Sequence, residues 1–177
     1  WGIVLVDFDL DRWPDLFIAN GHVWDLTSLG KKNEYQMLPQ IIQNESGKRL
    51  VNVSTVVGDY FHQRWHGRAV AFADLDNDGD SDLVGSPLEK PPAVLRNDSK
   101  RAGGSLRLKL IGTRSSRQPL GARVEVDVDG SSLTAWVPSG GSFQSLSDDR
   151  VLIATGNQTQ VSEVRVFWPG GTVEIWR

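Results

Sequence analysis

Aspartates in two short runs carry the most evident chemistry in this sequence. Asp74, Asp76, Asp78 and Asp82 stand at positions 1, 3, 5 and 9 of the second run, with Gly79 at position 6 and Asp80 at position 7. A hard cation such as Ca²⁺ takes six to eight oxygen ligands, and a tight loop with alternate acidic side chains turns those oxygens inward. Asp80 is expected to offer its backbone carbonyl. Gly79 supplies the positive φ that such a turn demands and that other residues resist. Without a cation, five aspartates within nine residues repel one another and loosen the loop.

The first run keeps Asp7, Asp9, Asp11 and Asp15 but has Arg12 at the glycine position and Trp13 at position 7. Arg12 disfavours left-handed backbone and brings a positive charge to the loop, although its long side chain can turn outward. Weaker calcium binding is expected there. An EF-hand would need flanking helices and a bidentate Glu at position 12. Position 12 of the second loop is Gly85, and both flanks are apolar β-type runs, so that reading fails. A solvated Asp-Gly hairpin turn is the plain alternative.

These loops must be held by strands. Residues 106–110, 123–128 and 164–168 alternate apolar and polar, the pattern of half-buried antiparallel strands. The best helical window, near residues 35–43, is short and broken by Pro39. The acidic segment recurs after 67 residues, a spacing that suits one propeller blade with a long loop, and polar stretches at residues 30–33 and 44–48 read as turns between the copies. Past residue 98 the acidic loops stop, and residues 99–104 read as a linker. The expectation is two domains, 1–98 and 99–177: an all-β chain with part of a calcium-binding propeller followed by a small antiparallel sandwich-like domain.

The chain has 177 residues, with 19 basic against 22 acidic side chains and no cysteine. Scattered basic residues and a net charge of −3 argue against nucleic-acid binding. No apolar run approaches the roughly 18 residues that span a bilayer. Disulfides and thiolate metal sites are excluded, while the compartment is left open. Trp1 opens directly into an apolar strand-like run, as a piece of a longer protein would.

On these residues the first half resembles FG-GAP/VCBS repeats, the calcium-binding blades of β-propellers. The second half resembles the ASPIC/UnbV domain through Leu110-Ile111-Gly112-Thr113, Ser116-Arg117, Leu120-Gly121-Ala122-Arg123-Val124, Ser139-Gly140-Gly141-Ser142-Phe143, Ser147-Asp148 and Val164-Arg165-Val166-Phe167-Trp168-Pro169-Gly170-Gly171. That combination is the architecture of the cartilage acidic protein-like family. Arg12, Ser116 and Ala154-Thr155-Gly156 depart from the family pattern. The resemblance implies a secreted, periplasmic or cell-surface module that binds Ca²⁺, needs its remaining propeller blades from upstream or from another chain, and engages a protein or glycan ligand. An enzyme or accessory domain acting on polysaccharide is the rival implication.

Other candidates are weaker. His62 and His66 have i, i+4 spacing but lack the zincin glutamate, and a surface loop is expected for both; His22 reads as a loop residue bonded to backbone. No Gly-x-Ser-x-Gly elbow is present, and Gly140-Gly141-Ser142 reads as a β turn. Seven tryptophans offer stacking surfaces or core packing, with Trp168 assigned to the core. Asn44, Asn52, Asn97 and Asn157 head glycosylation sequons that matter only in a glycosylating secretory pathway.

Overall fold

The computed structural model describes residues 1–26, 29–30, 35–114, 116–138 and 140–177. Ser139 and most of the turn expected at residues 30–33 lie outside the described residues. Among those described, strands dominate, and a 3-10 turn stands at Asp59–His62. The weakly helical window ends in a strand, because Pro39 breaks the helical ladder and Ile41 and Ile42 favour extended backbone.

The first sheet is an antiparallel meander of β1 (Ile3–Val6), β2 (Asp15–Ile18), β3 (Gln40–Glu45) and β4 (Arg49–Asn52). A second meander joins β5 (Gly67–Ala73), β6 (Asp82–Pro87) and β7 (Ala93–Leu95). Four-stranded meanders are the unit of propeller blades. The described strands form one four-stranded and one three-stranded meander and no closed propeller. Both share a core of Val4, Val6, Phe8, Phe17, Ala19, Phe61, Val70 and Leu83. Gly2 makes their contact possible: a Cβ there would meet the Arg68 carbonyl at 2.8 Å and the Val70 nitrogen at 2.9 Å.

β8 (Gly104–Leu108) pairs with β11 (Val151–Gly156) as a two-stranded ribbon. It packs over a four-stranded sheet in the order β10 (Ser131–Trp136), β9 (Arg123–Val128), β12 (Glu163–Phe167) and β13 (Val173–Trp176). Alternation along β9 is strict: Val124, Val126 and Val128 are fully buried, whereas Arg123, Glu125 and Asp127 face outward. Trp168 packs against this second core, which is separate from the first.

The two halves meet through polar contacts made by residues 142–148. Ser142 Oγ accepts the Ile3 N–H at 2.6 Å, and Ser145 Oγ donates to the Val70 carbonyl at 2.6 Å. Ser147 Oγ accepts the Phe72 N–H at 3.1 Å, and the Asp148 N–H donates to the Phe72 carbonyl at 2.9 Å. The glycine-rich segment thus leads into a clasp across β1 and β5. His66 departs from the surface-loop expectation. It is 1% exposed, its ring lies 3.9 Å from that of Tyr35, and its Nε2 sits 2.8 Å from the His22 carbonyl.

Candidate metal centre

Both acidic runs are hairpin loops at equivalent places. The first joins β1 to β2, where Val6 pairs with Asp15; the second joins β5 to β6, where Ala73 pairs with Asp82. Their backbones turn alike, with positive φ at Leu10 (58°) and Arg12 (79°) in the first and at Asn77 (60°) and Gly79 (101°) in the second. Arg12 therefore adopts the left-handed geometry that its type disfavours, and the turn survives the substitution. Side-chain oxygens explain how. Asp7 accepts the N–H groups of Asp11 at 3.0 Å and Arg12 at 2.8 Å, as Asp74 accepts those of Asp78 at 3.1 Å and Gly79 at 3.2 Å.

Position 9 is a strut in both loops. Asp15, 3% exposed, accepts the N–H groups of Phe8 at 3.1 Å and Asn44 at 2.8 Å. Asp82, 2% exposed, accepts those of Leu75 and Asn97, each at 2.8 Å. Each carboxylate ties its own loop to the end of the third strand of its meander. Nothing in the spacing of the aspartates reveals this role, which depends on Asn44 and Asn97 being brought alongside from 29 and 15 residues away.

In the first loop, carboxylate oxygens of Asp7, Asp9 and Asp15 lie within 4.8 Å of one another; in the second, those of Asp74, Asp76 and Asp78 do. Asp11 stands apart from the first trio, with Oδ1 taking the Trp13 N–H at 2.8 Å. The Trp13 side chain is exposed and crowds Gly47, so the side chain takes no part in the cluster. Gln43 holds the outer oxygen of Asp9 at 2.8 Å. Burial pushes Asp7 up to about 6, against the pull of the Arg12 and Asp11 N–H groups and with the push of the Asp11 and Asp9 charges. Burial likewise lifts Asp15 to about 6. These carboxylates are short of positive charge.

The second loop meets the C-terminal half directly. Arg101 Nε pairs with Asp80 Oδ2 at 2.9 Å, its NH1 donates to the Asp78 carbonyl at 2.7 Å, and its NH2 pairs with the Asp78 carboxylate. Arg107 on β8 reaches Asp74 Oδ2 at 3.5 Å and Asp148 Oδ2 at 3.3 Å, and donates to the Asp80 carbonyl at 2.6 Å. Ser105 Oγ donates to the Gly79 carbonyl at 2.5 Å. The carbonyl expected to be a ligand is thus already a hydrogen-bond acceptor, and the Asp80 side chain, fully buried, is ion-paired. Burial still raises Asp80 to about 6 against the Arg101 charge, while the Asp80 N–H and Arg101 hold Asp78 below the ordinary carboxylate range. The segment read as a linker touches both loops, since the Ala102 N–H donates to the Asp9 carbonyl at 2.7 Å.

Sequence reasoning missed Arg101, Arg107 and Asp148. Arg107 lies in an alternating strand where any polar residue satisfies the pattern, and only the fold brings it to an acidic loop. As to whether a hard cation suits these sites, the all-oxygen donor sets are those calcium takes. A second sign is Asp80 Oδ1, which is buried without a hydrogen-bond partner. A buried oxygen of this kind calls for a further polar or cationic partner beside Arg101. Asp7, Asp9 and Asp15 would hold the ion in the first loop, and Asp74, Asp76 and Asp78 in the second.

No helix among the described residues is long and apolar enough to cross a membrane. Comparison with curated proteins finds no match. Residues 112–177 match the ASPIC and UnbV family, and residues 7–85 match the FG-GAP-like repeat family, a span that contains both acidic hairpins. The chain carries an FG-GAP-like repeat followed by an ASPIC/UnbV domain.

Proposed function

We propose that this chain is a calcium-stabilised, non-enzymatic binding module of a secreted, periplasmic or cell-surface protein, with calcium stiffening loops rather than taking part in chemistry. The observation that carries the reading is the pair of equivalent hairpins whose carboxylates converge in threes within 4.8 Å. Five aspartates in the second loop remain in excess of the two guanidiniums that reach it, which leaves room for a divalent ion. The further blades of a propeller, and a protein or glycan ligand, are the partners proposed.

A cleft of about 370 Å³ between the halves bears on the polysaccharide-acting alternative, because Asp7, Asp148 and Trp136 line it. Both acids are engaged: Asp7 by the two loop N–H groups, and Asp148 by Arg107 and by Arg150 Nε at 2.6 Å. Neither is poised as a free acid or base, which supports the binding module. The test is thermal melting in Ca²⁺ and in chelator. Calcium should raise the melting temperature, and the Asp9→Asn, Asp76→Asn double variant should lose the shift. A wild-type curve indifferent to chelator would refute the reading.

A further inference from the structure

The two loops share their aspartates at positions 1, 3, 5 and 9, and Arg12 at position 6 marks the first as the poorer site. The side-chain contacts point the other way. Arg12 turns out of its loop, and its NH2 donates to the Thr155 carbonyl at 3.1 Å in the ASPIC/UnbV half. Among the described residues, no ion pair joins a basic side chain to Asp7, Asp9, Asp11 or Asp15. The second loop has two guanidiniums on its carboxylates, Arg101 on Asp78 and Asp80, and Arg107 on Asp74.

We infer that the order of the two calcium sites is the reverse of what position 6 implies: the Asp7 loop binds calcium more tightly, and Arg101 sets the weaker affinity of the Asp74 loop. This rests on the calcium reading above and adds which residue ranks the sites. Arg101 already bonds the carboxylate and carbonyl of Asp78 and the carboxylate of Asp80, so an incoming ion must share or displace those oxygens. A unit positive charge roughly 5 Å from a divalent ion weakens its binding about tenfold even at the dielectric of water. Binding linkage is reciprocal, so calcium in this loop loosens Arg101 to the same extent that Arg101 opposes calcium. The second loop is therefore an exchange site whose internal counter-ion comes from the segment joining the two halves.

Isothermal calcium titration of the whole chain separates the possibilities, with circular dichroism confirming that each variant is folded. Wild type should show a tight and a weak phase. Asp9→Asn should remove the tight phase and Asp76→Asn the weak one. Arg101→Gln, at a side chain 35% exposed, should tighten the weak phase about tenfold, whereas Arg101→Lys, which keeps the charge, should not. Loss of the tight phase in Asp76→Asn, or a weak phase unmoved by Arg101→Gln, overturns the ranking while leaving calcium binding intact. Absence of binding heat in wild type and every variant takes down both this inference and the calcium reading.

Discussion

Asp82 offers a perturbation whose size follows from the geometry. Its carboxylate, 2% exposed, accepts two backbone N–H groups at 2.8 Å, from Leu75 and Asn97. Asp82→Ala removes both acceptors at a site largely shielded from solvent. A buried donor left without a partner costs about 1 to 3 kcal/mol, so the pair costs about 4 kcal/mol. Relief of repulsion with Asp80 returns part of this, for a net loss of about 3 kcal/mol. That is a large share of the roughly 5 to 15 kcal/mol that holds a domain folded. Urea unfolding in chelator isolates the hydrogen bonds from any metal; with a slope of about 2 kcal/mol/M the midpoint should fall by about 1.5 M. Asp76 is exposed and lies in the same loop, so Asp76→Ala under the same conditions should move the midpoint by less than about 0.3 M. Equal midpoints for the two variants would refute the assignment of position 9 as a strut.

In chelator, stability should fall as pH rises from about 4 to 6. Asp7, Asp15 and Asp80 have folded-state values of about 6 against an ordinary 3.8, so the folded state holds the protons more tightly and loses stability as they leave. Melting in chelator should drop by about 5 °C between pH 4.5 and pH 7 and stay flat in saturating Ca²⁺; greatest stability at pH 7 without metal would contradict this. Asp148→Ala should cost about 2 kcal/mol in chelator, because it strips Arg107, whose side chain is 12% exposed, of one of its carboxylate partners, and also unpairs Arg150. It should also speed proteolytic cleavage between residues 98 and 104, and an unchanged cleavage rate would argue against the clasp.

Much of the fold is legible because its signals are local. Alternation along Arg123–Val128 dictates which side chains face the core, and the aspartate spacing marks both hairpins. What escapes reading is non-local. Asn44 and Asn97 stabilise the loops from the ends of other strands, and Arg101 sits in a stretch whose composition signals only flexibility. Arg12 shows the limit of residue-type arguments. By type the residue is an obstacle to the turn and a charge at the cage, yet Asp7 holds its N–H in the left-handed turn while its guanidinium is drawn to a carbonyl 143 residues onward.

The clasp also orders events during synthesis. Its contact between Ile3 and Ser142 spans 139 residues, so every strand of both meanders is synthesised before the segment that fastens them. Contacts at such separation form late and slow folding. Until Arg101 and Arg107 are added, the acidic hairpins of the nascent chain lack the guanidiniums that later join the second of them, and their mutual repulsion is greatest then. A supply of divalent cation should therefore matter most to the growing polypeptide, as a temporary brace that keeps the first meanders assembled until their C-terminal fastener arrives.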